Sequence, residues 1–250
     1  MILKLVNPNT TVSMTRMIEK AARGAAGPDV EIRAVTSKSG PASIESHYDE
    51  ALCVPGLLAE ITGGEQADGS VVACFGDPGL DAAREVASGP VVGIAEAGMR
   101  AATYLGRTFG VVTTLARSAG RTRELAHRYG VAEHCVGVRA TDIPVLDLET
   151  DPAARTRILA ECRAAIDADG AESVVLGCAG MADLCADLRR ELGVPVIDGV
   201  AAAVAVLEGL IRLDLGTSRI GEYDRPPLKA YSGLLAGFEL SGNSRIFETR

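Results

Sequence analysis

At 250 residues the chain can bury a substantial core, and its length admits one domain or two small ones. A formal net charge of -8, without a basic run or an aromatic-basic patch, argues against nucleic acid as a partner and leaves a small molecule. With 47% hydrophobic but only 4% aromatic residues, the interior has to be built from Ala, Val, Leu and Ile, the usual material of parallel sheets covered by helices on both faces.

The opening Met1-Ile2-Leu3-Lys4-Leu5-Val6 runs straight into the turn residues Asn7-Pro8-Asn9-Thr10, with no charged segment ahead of a long apolar one, so no signal peptide is expected. The longest apolar stretch, 200–213, is interrupted by Glu208 and Arg212 and reads as a packed helix rather than a membrane span. A cytoplasmic protein is expected, and in a reducing compartment its six cysteines are free thiols rather than a disulfide framework.

Taken in chain order, apolar runs bounded by Gly, Pro and Asn predict strands at 2–6, 30–35, 70–73 and 91–94. Helical spacing predicts helices at 11–24, 49–62 and 81–87, and another beginning at Ala95. The order then resumes, with strands at 108–112, 136–139, 173–176 and 194–197, and helices at 118–129, 152–169, 181–192 and 199–212. Strands alternating with helices imply parallel sheets with right-handed crossovers. The expected division is a first α/β half over 1–98, a second over 99–213, an arm over 214–235 that completes the first half, and a mobile tail at 236–250. The Pro226-Pro227 arm suggests a homo-oligomer.

Two segments, each centred on a cysteine, carry nearly the same message. Ser70-Val71-Val72-Ala73-Cys74-Phe75-Gly76 leads through a short helix to Pro90-Val91-Val92, and Ser173-Val174-Val175-Leu176-Gly177-Cys178-Ala179-Gly180 leads similarly to Pro195-Val196-Ile197. In open α/β sheets ligands bind beyond the carboxyl ends of the strands, so four turns should converge on one site: 7–11, 74–77, 113–114 and 178–181. Duplication followed by closure would put the two thiols face to face.

A strand-to-helix turn at each cysteine predicts thiol pKa values lowered by a helix N-terminus. The glycines two positions on, Gly76 and Gly180, suggest backbone N–H groups of Phe75, Gly76, Ala179 and Gly180 close to a ligand oxygen. Two thiols on opposite sides of a flat carbon acid can take a proton from one face and return one to the other, which inverts the carbon without metal or organic cofactor. Cys53, Cys135, Cys162 and Cys185 have no such context and are assigned to packing.

Other residues leave alternatives open. Thr113, Thr114 and Asn9 are candidates either for contacting a substrate or for capping the next helix. Asp77 is read as the cap of its own helix, and Asp198 as orienting the end of the second repeat. His47, in the polar loop 40–49, either covers the site or opens a capped helix. His127 and His134 flank an exposed-looking Tyr129-Gly130 turn. No zinc-ligand spacing, G-x-G-x-x-G or Walker A pattern occurs. A non-catalytic two-domain binding protein, with incidental thiols, is the alternative from outside enzymology.

With Asn7-Pro8-Asn9-Thr10, Ala73-Cys74-Phe75-Gly76-Asp77-Pro78-Gly79, Val112-Thr113-Thr114-Leu115 and Leu176-Gly177-Cys178-Ala179-Gly180-Met181 in place, the chain resembles the aspartate/glutamate racemase superfamily. Within it, the hydantoin and allantoin racemases are most similar. The segments 40–45 and 48–51 also match that subgroup, as does the arm with Thr217-Ser218, Tyr223, Pro226-Pro227 and Lys229. The resemblance implies two pseudo-symmetric α/β domains with the active site between them and a cofactor-independent racemase of a 5-substituted hydantoin or allantoin. It carries the two bases onto Cys74 and Cys178, with Asn9, Phe75, Gly76, Thr114, Ala179 and Gly180 around the substrate. Phe75 and Met181 are expected to border the pocket and Ile44 to reach it. Amino-acid racemases or maleate-isomerase-like enzymes share the frame, but an amino-acid racemase would show Gly-Cys-Thr-His where this chain has Gly177-Cys178-Ala179-Gly180.

Overall fold

The computed structural model describes residues 1–240. Two four-stranded sheets, parallel throughout, form the frame. In the first, β1 (Ile2–Asn7), β2 (Glu31–Thr36), β3 (Gly69–Val72) and β4 (Val91–Gly93) lie in the order β2-β1-β3-β4. In the second, β5 (Phe109–Thr113), β6 (Cys135–Ala140), β7 (Ser173–Leu176) and β8 (Val196–Asp198) lie in the order β6-β5-β7-β8. The topologies are identical, so the sequence repeat is a structural one. Central strands β3, β5 and β7 are buried at every position, as parallel strands covered on both faces should be. The outer strand β6 is only partly buried.

The helices follow the strands: α1 (Val12–Ala25), α2 (His47–Thr62), α3 (Leu80–Val86), α4 (Ile94–Thr103), α5 (Ala119–Arg128), α6 (Ala154–Asp167), α7 (Cys185–Leu192) and α8 (Gly199–Arg212). In α1, Met14, Ile18 and Ala22 recur at four-residue spacing and supply the buried stripe. Helix α2 begins two residues before the expected boundary because Ser46 caps it, its hydroxyl accepting from the Asp49 N–H at 3.1 Å. His47 is therefore the first residue of a capped helix, with its side chain 82% exposed. The stretch expected as a single helix at 181–192 instead starts with a 3-10 segment, Ala179–Leu184, and only Cys185–Leu192 is α-helical.

Helices α4 and α8 start directly after β4 and β8 and cross at their N-terminal ends. Glycine is required at that crossing, since a Cβ on Gly199 would lie 2.5 Å from the Ile94 carbonyl oxygen. Around these helices a single apolar cluster runs from Leu3, Leu5 and Val71 through Ile94, Met99, Val200 and Leu207 to Phe109, Val111 and Val175. Both sheets thus share one core. Separate clusters cover the outer faces, Val6, Leu57 and Leu80 in one half and Ile158, Leu176 and Met181 in the other.

After Leu213 the chain leaves the sheets and lies along α3. The Arg219 guanidinium donates to the Arg84, Glu85 and Ala87 carbonyls, and the Tyr223 hydroxyl donates to Asp81 at 3.1 Å. A 3-10 turn at Gly233–Phe238 follows. Of the tail expected at 236–250, residues 241–250 lie outside the described residues. No helix among the described residues is long and apolar enough to cross a membrane.

Candidate active site

The carboxyl ends of β1, β3, β5 and β7 converge on a small cavity of about 40 Å³. Cys74 and Cys178 both line it, together with Asn9, Ile44, Phe75, Thr113, Thr114 and Ala179. Three residues expected there are not on the lining. Met181 is fully buried in the second half's outer cluster, carried there by the 3-10 turn. Gly76 and Gly180 stand behind the wall. A Cβ on Gly76 would come within 3.1 Å of the Arg121 and Glu50 side chains, so its bareness makes room for that ion pair. The Gly180 N–H is turned to the Cys178 sulfur.

The strand ends explain how the thiols are placed. The β1–β3 ladder continues one step past β3, with the Ala73 N–H donating to the Val6 carbonyl at 2.9 Å, and Cys74 follows. In the second sheet the Gly177 N–H donates to the Val112 carbonyl at 2.8 Å. A Cβ on Gly177 would sit 3.0 Å from that same oxygen, so glycine lets the chain hug β5 and deliver Cys178 beside Thr113.

The expected lowering of the thiol pKa values is not what the structure shows. After Cys74 the chain makes a turn and α3 begins only at Leu80; after Cys178 it enters the 3-10 segment. Neither sulfur sits in the first turn of an α-helix, where the dipole acts. Burial dominates instead and pushes both thiols up: Cys74 well above its ordinary value and Cys178 to about 11. Arg121 pulls Cys74 back down, while Cys53, Cys178 and Glu50 push it further up. At Cys178 the Gly180 N–H pulls down and Glu45 pushes up.

The neighbouring polar groups resolve the capping alternatives. Asn9 accepts from the Asn7 amide and the Thr11 N–H at its Oδ1, both at 2.9 Å, which turns its own NH₂ toward the weakly accepting Met14 sulfur at 3.3 Å. Thr113 shares a 3.2 Å hydrogen bond with Ser118. Neither threonine caps α5, whose N-cap is Ser118. Asp77 does not cap the helix that follows it. Its carboxylate reaches α4 instead, accepting from Ala95 and Glu96 N–H groups at 3.0 and 2.8 Å, and from the Tyr129 hydroxyl at 2.6 Å. Asp198 is the direct N-cap of α8, accepting from Val200 and Ala201. The two repeats thus cap equivalent helices from different positions. Tyr129, read as part of an exposed turn, is 5% exposed because this bond draws it inward.

Residue-level reading missed Glu45, Arg121, Ser118 and Val145 on the lining. Glu45 belongs to the segment 40–45 already noted for its resemblance. Arg121 lies on an otherwise polar helical surface pattern, with no local sign that it points inward. No group of three or more His, Cys, Asp or Glu side chains able to hold a metal ion occurs among the described residues.

Comparison with known proteins adds the family. Residues 3–207 match the Asp/Glu/Hydantoin racemase family model. A hydantoin racemase of Pseudomonas sp. (strain NS671) is 48% identical over 241 residues, 95% of this chain and 97% of the relative. A hydantoin racemase of Rhizobium meliloti is 48% identical over 236 residues, covering 93% and 98%. The structure of the allantoin racemase from Klebsiella pneumoniae superimposes with a TM-score of 0.93 at 47% identity, covering 95% of this chain and 98% of that one. Repeated parallel sheets, two thiols at one cavity and relatives of this closeness lead to one conclusion: the chain belongs to the Asp/Glu/hydantoin racemase family, in its hydantoin racemase branch, and is a racemase, hence an isomerase.

Proposed function

We propose that the protein inverts C5 of a 5-substituted hydantoin or of allantoin, without a cofactor, by two-base proton transfer between Cys74 and Cys178. The observation that carries this reading is that both thiols line one cavity at equivalent places in two like sheets. The substrate class comes from what the relatives of nearly half identity are named for.

C5 of such a ring is a carbon acid flanked by a carbonyl and a ring nitrogen. In one direction the Cys74 thiolate takes the C5 proton and the electron pair moves onto the carbonyl oxygen as an enolate. The Cys178 thiol then gives its proton to the opposite face of C5 and is left as the thiolate. In the other direction the roles exchange, since each sulfur must begin in the state the other leaves behind. Burial that pushes both thiols up also makes each a stronger base once ionised, suited to a weakly acidic carbon. In this scheme Asn9, Phe75, Thr113, Thr114, Ala179 and Ile44 contact the ring. Gly76, Gly180 and Met181 shape the loops from behind.

The chain is read as two halves, 1–98 and 99–213, with the arm from 214 returning to the first. It is further read as a cytoplasmic homo-oligomer; light scattering that gave a monomer would remove the last element.

The test follows optical rotation and deuterium uptake at C5 for single enantiomers of allantoin and of benzyl- and isobutyl-substituted hydantoins in deuterated buffer, against protein-free controls. Loss of rotation with deuterium in the product is expected. Cys74→Ser and Cys178→Ser should each abolish racemisation while retaining exchange on one enantiomer. Normal racemisation by both variants would overturn the two-base assignment.

A further inference from the structure

Among the described residues lining the cavity, Glu45 and Arg121 carry the charged side chains, and they serve opposite poles. Arg121, in the first turn of α5, reaches back to the first half, where its Nη1 donates to Glu50 at 2.8 Å. Both side chains are largely buried, 12% and 21% exposed. The guanidinium lies over Gly76, two residues from Cys74, at 3.1 Å from where a Cβ would stand. Its Nε is buried and has no hydrogen-bond partner among the described residues. The pair with Glu50 balances the charge but leaves one guanidinium donor buried without an acceptor. At the other pole, the Glu45 carboxylate is fixed by the Val145 N–H at 2.7 Å.

We propose that Arg121 is a positioning residue acting through Cys74: its guanidinium is the counter-ion of the Cys74 thiolate, a partner that Cys178 lacks. The inference rests on reading the cavity as the proton-transfer site. The charged and titratable groups whose charge is felt at Cys74 are Arg121 from α5, Glu50 and Cys53 from α2, and Cys178; Glu45 is felt at Cys178. During inversion one proton leaves C5 for the Cys74 sulfur and another leaves the Cys178 sulfur for C5, so the negative charge crosses from one pole to the other. Arg121 therefore weights the enzyme form that starts with Cys74 ionised. The two enantiomers have equal free energy in an achiral solvent, so their kcat/KM values remain equal in any variant and cannot report this asymmetry. Thiol chemistry can.

Alkylation by iodoacetamide at about pH 8, with each cysteine peptide quantified by mass spectrometry, gives the Cys74 rate relative to Cys178 in the same molecule. In Arg121→Gln, losing the opposite charge that pulls it down raises the Cys74 thiol further. Alkylation of Cys74 is expected to slow about threefold, the smaller thiolate fraction being partly offset by the greater nucleophilicity of a more basic sulfur. Arg121→Lys should keep most of the ratio, and Glu50→Gln should raise it. An unchanged ratio in Arg121→Gln overturns the proposal, as does equal slowing of both thiols or failure of Arg121→Lys to rescue. Should Arg121→Gln not fold, an unchanged ratio in Glu50→Gln decides against it. Thiolate absorbance, taken as the difference between each protein and its Cys74→Ala form, repeats the measurement without depending on reagent access. No substrate is involved. A chain whose Cys74 reactivity follows Arg121 but which racemises nothing would refute the proposed reaction and leave the counter-ion in place.

Discussion

Replacing Tyr129 by Phe removes one hydroxyl from a bond that ties the Cys74 loop to the second half. Asp77 follows Cys74 in a tight turn with a φ of 45°, and its N–H donates to the Cys74 carbonyl at 3.0 Å. Burial pushes the Asp77 carboxyl up to about 6, against the Tyr129 hydroxyl and the Ala95 and Glu96 N–H groups that pull it down, Tyr129 most strongly. The ring is kept, so no cavity opens, and the loss is that of a buried bond to a charged acceptor, about 1.5–3 kcal/mol. That figure applies above pH 6, where the folded-state carboxyl is ionised. At lower pH the carboxyl is neutral and the loss falls toward about 1 kcal/mol.

The direction with pH follows from linkage. Asp77 is raised from 3.8 to about 6 on folding, so between those values the folded state holds the proton and the unfolded state does not. Its contribution to stability therefore declines as pH rises through that window. Without the hydroxyl the carboxyl rises further, and the decline of the variant is deeper and extends to higher pH. Urea unfolding of both proteins at about pH 5 and about pH 8 reads the difference directly. A loss that is the same at both pH values, or below about 0.5 kcal/mol at the higher one, would refute the reasoning, because it would mean that the hydroxyl does not serve an ionising carboxylate.

Two further substitutions probe the same frame. Gly93→Ala would place a Cβ 2.2 Å from the Asp77 carboxyl carbon, so the carboxylate must leave its three donors; destabilisation of about 3 kcal/mol is expected, and an unchanged melting temperature would contradict it. Asp198→Ala removes the two cap bonds at the start of α8 and should cost about 1 kcal/mol in denaturant unfolding, less than Gly93→Ala because solvent can reach part of that helix end.

The repeat, the alternation of apolar runs with helical spacing, and the two cysteine turns determined the eight strands, their parallel sheets and the place where the strand ends meet. These are legible because burial on both faces of a strand, or along one stripe of a helix, writes a local pattern into the chain. Asn9, Ile44, Phe75, Thr113, Thr114 and Ala179 came to the cavity for the same reason, since each lies in or beside a turn at a strand end or in a segment already marked as unusual. The tertiary structure alone decided that Asp77 caps a helix well beyond its own, that Tyr129 is buried to meet it, and that Arg121 crosses from α5 to Gly76 and Glu50. It alone decided that burial, not a helix dipole, governs the two thiols. Such pairings join residues 18 to 71 positions apart with no periodicity to announce them, and desolvation is a property of everything packed around a group rather than of its neighbours in sequence.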